Sequence, residues 1–183
     1  MRKEWIILFV LIISCSKKGE YHPLRWKAGQ WVCYKINDEP IRISIVGKDS
    51  TLFWIETVES ELVAKALVEE GQMEEAKRLI VKKVSETPFE IRVEKFSIKS
   101  GFPDISVRES GEKELITLPC GKFRTFHIRQ KEEDVWLSNK VPIFGIVRYK
   151  SKDKEIVLWD YGLKGAKSEI KEKVESISLE EAS

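Results

Sequence analysis

The residues able to do chemistry are few and widely spaced. Cysteines occupy positions 15, 33 and 120, and a deprotonated thiol is a nucleophile or a metal ligand. The imidazoles are His22 and His127, a pair with no zinc spacing, and neither CxxC nor HExxH occurs. Cys120 lies beside Lys122 and near His127 in sequence, but a turn cysteine without a helix N-terminus behind it reads as inert. Carboxylates group at Glu132, Glu133 and Asp134, and again at Glu59 and Glu61. Acid–base work needs two carboxyls in unlike environments within a cleft, whereas these read as a solvated loop and a helix cap. "PCGK" at 119–122 lacks the spacing of a phosphate loop. The sequence therefore predicts no catalytic residue, no metal site and no cofactor.

Cys15 has a different setting. Met1, Arg2 and Lys3 open the chain, an apolar run spans Trp5 to Ile13, and the small Ser14 directly precedes the thiol. A positive start, a hydrophobic middle of about 7 to 15 residues and a small-residue cleavage site make a signal peptide. The run is too short for a membrane-spanning helix, which takes roughly 20 apolar residues. Ile12, Ile13, Ser14 and Cys15 resemble the bacterial lipobox, in which the thiol is acylated with diacylglycerol, the chain is cut between Ser14 and Cys15, and the new amine is acylated in turn. Several buried acyl chains, at about 0.8 kcal/mol per CH₂, hold a protein on a bilayer far longer than one chain does. The expected partner of the N-terminus is thus a membrane, inner or outer. Ser16 after the cysteine points to the outer membrane if the host sorts lipoproteins by the usual rule.

Cleavage before Cys15 leaves 169 of the 183 residues. The expected organisation is a signal peptide over 1–14, a lipidated tether over 15–24, one β-rich domain over 25–163 and a charged tail over 164–183. The tether is polar and carries Pro23; nine residues at about 3.3 to 3.6 Å each reach roughly 30 Å. Net charge is +2 with Lys and Glu intermixed, which excludes the concentrated basic face of a nucleic-acid binder. Cys33 and Cys120 remain in a compartment where disulfides form, and a bridge or two unpaired thiols both fit.

The elements that must position these residues are mostly strands. In "IRISIVG", Ile41, Ile43 and Ile45 share one face and Arg42 and Ser44 the other, and "TLFWIETV" at 51–58 is apolar on both. With "WVCYKIN" at 31–37 they predict an antiparallel meander. Ser60, Leu62, Val63, Ala66 and Leu67 fit a capped helix over 60–70 ending at Gly71; 74–84 fits helix or strand. "FEIRVEKFSI" predicts a strand with a bulge near Lys95. "ELITL" and "FRTFHIR" flank a turn at Pro119–Gly121, and "DVWL", "GIVRYK" and "EIVLWDYG" supply the last strands. In the tail, Ile170, Val174 and Ile177 allow a frayed helix, and a solvated tail fits equally. The fold class is mainly β (α+β): a strongly curved open antiparallel sheet or half-barrel with one helical insertion.

"LPCGKFRTFHI" at 118–128, "DVWLSNKVPIFGIVRYK" at 134–150 and "LWDYG" at 158–162 resemble a pattern of uncharacterised bacterial envelope proteins. A Pro-x-Gly-x-Phe turn leads a strand, a Trp-x-Ser strand follows, and Val-Pro-x-x-Gly introduces the next hairpin. Those proteins look like relatives of the LolA/LolB lipoprotein-carrier superfamily. The resemblance covers about 45 residues and implies a sheet wrapped around a helical plug, with a concave apolar surface for an acyl chain or a partner. It implies no catalytic residue.

Aromatic side chains are the remaining candidates for binding. Trp31, Phe53, Trp54, Trp136, Tyr149 and Trp159 lie on predicted strands, either as core and rim or as the lining of an apolar ligand cavity. The function expected from the sequence is a non-enzymatic, membrane-anchored envelope lipoprotein. It binds a lipid-like ligand, another hydrophobic ligand or an envelope protein. The alternative is a structural or assembly accessory without a cavity, docking by a sheet edge or its tail, and a divergent hydrolase ranks below both.

Overall fold

The computed structural model describes residues 19–91, 102–103, 110–171 and 175–176. Cys15, the signal peptide and the expected bulge near Lys95 lie outside the described residues. Among them the chain is mainly β: β1 (Gly19–Glu20), β2 (Trp31–Ile36), β3 (Glu39–Asp49), β4 (Leu52–Glu59), β5 (Leu62–Val68), β6 (Arg78–Lys83) and β7 (Phe89–Ile91). Then follow β8 (Ser110–Leu118), β9 (Gly121–Gln130), β10 (Glu133–Leu137), β11 (Ile146–Lys150), β12 (Glu155–Gly162) and β13 (Glu175–Ser176). They form one open sheet in the order β1-β8-β9-β10-β11-β12-β2-β3-β4-β5-β6-β7-β13. Every pairing is antiparallel except β7 with β13.

Local chemistry explains the hairpins. Asn37 and Asp38 join β2 to β3 with φ of 47° and 73°, the positive values that a two-residue loop needs to match strand twist. Pro119 and Cys120 make the β8–β9 turn, closed by the Leu118–Gly121 pair. Alternation then decides the faces: Ile41, Ile43 and Ile45 enter the core together with Val32, Tyr34, Ile55, Leu137, Ile146, Ile156 and Leu158. A fully buried Ile or Leu contributes about 1.5 to 3 kcal/mol, so this one cluster is the main source of stability.

Strands far apart in the order also meet. The Phe123 ring on β9 lies 5.7 Å from the Tyr161 ring on β12, and Cys120 Sγ is 3.6 Å from the Leu158 carbonyl oxygen. β10 and β11 stand between them but are short. β10 pairs with β9 only from Phe126 onward, and β11 pairs with β12 only up to Val157.

Two expectations are corrected. Residues 60–70 are no helix: Ser60 is a turn residue with φ of 49°, and Leu62–Val68 is β5, paired with β4 and β6. Its faces are both covered, Ala64 and Ala66 by the core and Val63 by Ile170. Strand alternation is therefore absent, and small and apolar residues mimic a helical stripe. The second concerns the boundaries. Tyr21 is 3% exposed and belongs to the core, so the domain starts within the stretch expected as tether. Residues 164–171 are no free tail: Ala166 N–H donates to the Gly29 carbonyl at 2.9 Å and Ile170 is buried. The ambiguous stretch resolves as β6 at Arg78–Lys83.

Candidate functional site

Residues 21–26, most of them within the stretch expected as tether, build one wall of an apolar pocket. Tyr21, Leu24 and Trp26 meet Met73 from the β5–β6 loop and Ile143 and Phe144 from the β10–β11 loop, enclosing about 150 Å³. Glu70 fixes this wall by accepting a hydrogen bond from Trp26 N–H at 2.8 Å. Trp26 also packs edge-on against Phe53, with centroids 5.7 Å apart. The residues are mostly bulky and rigid, so the hollow persists because the aromatic walls cannot collapse into it.

Two phenols lie behind the pocket. Tyr21 Oη is 3.4 Å from the Phe144 carbonyl oxygen, and burial pushes its ionisation well above the usual phenol range. Tyr34 is completely buried, against Phe102 at 5.4 Å and Phe144 at 6.4 Å. Burial, and then the neighbouring Tyr21, raises its ionisation too. Its hydroxyl is near the Ile146 backbone but makes no hydrogen bond of good geometry.

The opposite wall is strained. Phe144 N–H donates to the Pro142 carbonyl at 2.9 Å across Ile143, whose φ is 69°. That is a γ-turn of the rare positive-φ kind, and a β-branched residue resists this conformation. Such strain costs on the order of 1 to 3 kcal/mol and is concentrated at functional sites. Gly145 follows with φ of 71°, and a Cβ there would lie 1.7 Å from Tyr21 Oη. The glycine is what lets the tyrosine close the pocket.

A polar cluster occupies the other face of the sheet. His127 Nε2 is 2.8 Å from Asp134 Oδ1 and Nδ1 is 3.1 Å from Glu114 Oε2. The imidazole stacks on Trp136 at 4.2 Å, and the indole N–H donates to Glu114 at 2.8 Å. Neutral imidazole has one N–H, so only the imidazolium can donate to both carboxylates. Arg129 approaches Asp134 and Glu112, both at 3.7 Å. The arrangement binds strands β8, β9 and β10 together.

None of the six aromatic residues expected to line a cavity lines this pocket. Phe53 and Tyr149 are in the core. Trp31, Trp54, Trp136 and Trp159 stand on the opposite face beside cations: Arg42, Lys65 with Arg78, Arg148 and Lys35. Alternation put them there, one position out of step with Val32, Ile55, Leu137 and Leu158. The pocket's own residues were hidden in a short polar-looking stretch and in "VPIFG", whose turn was legible but not its strain. Cys33 and Cys120 are both free thiols. Burial raises their ionisation, and Asp160 adds to this at each.

Among the described residues no His, Cys, Asp or Glu side chains group as metal ligands, and no helix is long and apolar enough to cross a membrane. Comparison with protein-family models, curated proteins and solved structures found no match.

Proposed function

We propose that this protein is a bacterial envelope lipoprotein, acylated at Cys15, that docks another envelope protein without catalysing a reaction. The curled sheet acts as a half-barrel, in keeping with the carrier-like resemblance, but its concave side is filled by its own core. The supporting observation is the size of the apolar pocket, about 150 Å³. Cavities for whole small ligands run from about 300 to 1,000 Å³, while one of about 150 Å³ takes a benzene-sized group. It fits a single aromatic or branched side chain of a partner, the anchor type that dominates protein interfaces. Ser168 and Glu169 are engaged with Glu56 on β4, so this part of the C-terminal segment is bound to the sheet rather than offered to a partner.

The test is binding of benzene or indole to the soluble Cys15→Ala form, read as a rise in melting temperature. The expected result is saturable stabilisation, abolished by Leu24→Trp, with no co-purified lipid in native mass spectrometry. A stoichiometric phospholipid in that spectrum would replace partner docking with lipid carriage.

A further inference from the structure

A second groove lies on the β8–β9 hairpin. Lys113 pairs with Phe126 and Leu115 with Arg124 across the two strands, so all four side chains leave the same face. Lys140, from the β10–β11 loop, completes a groove of about 680 Å³. Phe126 packs against the core and forms the floor. Leu115 stands 63% exposed, among the most exposed large apolar residues described. Lys113, Arg124 and Lys140 are exposed and make no ion pair with a described residue. Glu114 also borders the groove, but its carboxylate is turned to Trp136 and His127.

The groove is next to the point where the tether enters. Gly19 on β1 pairs with Gly111 on β8, and Lys113 is two residues farther along, about 7 Å. Three residues separate Cys15 from Gly19, and the four steps between them span at most about 14 Å. An acylated Cys15 would therefore hold Lys113 within roughly 20 Å of the headgroups, with Arg124 two residues farther along the hairpin, a leash short enough for the cations to settle onto the surface, where each Lys or Arg in contact with an anionic leaflet contributes about 1 kcal/mol. An exposed leucine among cations is suited to the boundary between headgroups and acyl chains.

We infer that the groove formed by Lys113, Leu115, Arg124, Phe126 and Lys140 docks the domain onto the anionic headgroups of the membrane that carries its anchor. The inference rests on acylation at Cys15 for the groove's placement. It makes the tether-side face the membrane face and fixes the domain's orientation. Lipidation then supplies residence, and the groove supplies posture.

The probe is co-sedimentation with vesicles of phosphatidylglycerol and phosphatidylcholine, against vesicles of phosphatidylcholine alone. The protein is the chain from residue 15 carrying Cys15→Ala, which keeps every described strand and has no acyl chain. The expected result is binding to the anionic vesicles only, weakening as salt rises. K113E/R124E/K140E should lower affinity by on the order of a hundredfold and L115S by severalfold. K48E/K77E/K83E, an equal charge change on β3 to β6, should lower it by less than threefold. The neutral variant K113Q/R124Q/K140Q keeps the test decisive should the charge reversal unfold the chain. Equal binding to both vesicle types, or equal losses in the two triple variants, overturns the inference. Acylated Cys15 without vesicle binding sinks the groove alone; vesicle binding with an unmodified Cys15 in cellular protein sinks the anchor alone.

Discussion

Glu56 and Ser168 are 112 positions apart in the chain, yet the Ser168 hydroxyl donates to Glu56 Oε2 at 2.6 Å. Glu169 N–H donates to the other carboxylate oxygen at 2.8 Å, and Lys65, directly opposite on β5, reaches Ser168 Oγ at 3.1 Å. Glu56 is 1% exposed because this C-terminal strap covers it, and Ile170 then closes an apolar cluster with Val63 and Ile80. A buried carboxylate has to be hydrogen-bonded to be tolerated, so strap and carboxylate require each other.

Glu56→Ala should therefore cost about 2 kcal/mol, the scale of hydrogen bonds to a charged group. Glu56→Gln should cost less, since the amide oxygen still accepts from Glu169. Urea denaturation gives the stability, and amide exchange locates the effect. Protection should fall at Ala166 and Glu169 first, and unchanged protection there would mean the strap is held by other contacts.

Replacing His127 by alanine removes the ring that separates Asp134 from Glu114 and strips Trp136 of its stacking partner. A loss of about 1 to 3 kcal/mol is expected, because two carboxylates are left facing each other. A double-mutant cycle with Trp136→Ala should return a coupling of about 1 kcal/mol, the worth of a stacked aromatic pair. Zero coupling would show that the stacked geometry contributes nothing.

Gly145→Ala introduces a Cβ where Tyr21 Oη stands and imposes a left-handed φ on a non-glycine residue. The expected loss exceeds about 2 kcal/mol. Tyr21 must swing out, so its fluorescence or ring chemical shifts should become solvent-like. A well-folded variant with Tyr21 unmoved would contradict the close approach that shapes the pocket.

The thiols and phenols set the alkaline limit of stability. Burial raises Cys33, Cys120, Tyr21, Tyr34 and Tyr149 above their ordinary values. An acid whose folded pKa exceeds its unfolded one binds its proton more tightly when folded. The associated stability is complete below the unfolded value and is lost as pH climbs toward the folded one. With unfolded Cys and Tyr near 8.5 and 10, stability should be flat around neutrality and fall from about pH 9 upward. Alkylation by iodoacetamide at pH 8 should be much slower in the folded protein than in urea, and both thiols should be free to react once unfolded.

Much of the sheet is legible in the sequence because each strand follows a local rule. Ile41, Ile43 and Ile45 alternate, Asn37 and Asp38 turn, and "EIVLWDYG" matches β12 residue for residue. β5 is not legible in that way. Val63 has a reason to be apolar only because Ile170, more than a hundred residues later, lies on it. Glu56 is hidden for the same reason: an acid in a strand reads as solvent-facing until a remote segment covers it. The pocket fails on a different ground. Tyr21 sits in a stretch whose composition is that of a tether, and neither hydropathy nor spacing marks a γ-turn at Ile143. Tryptophans mislead because an indole beside Lys or Arg is as stable on the outer face as a core residue is inside.

The most direct test of the whole account is the intact mass of the protein extracted from its native membranes. The account predicts a chain that begins at Cys15 and carries a diacylglyceryl thioether and an N-acyl group. An unmodified chain still beginning at Met1, partitioning into the aqueous phase of a detergent split, would contradict it.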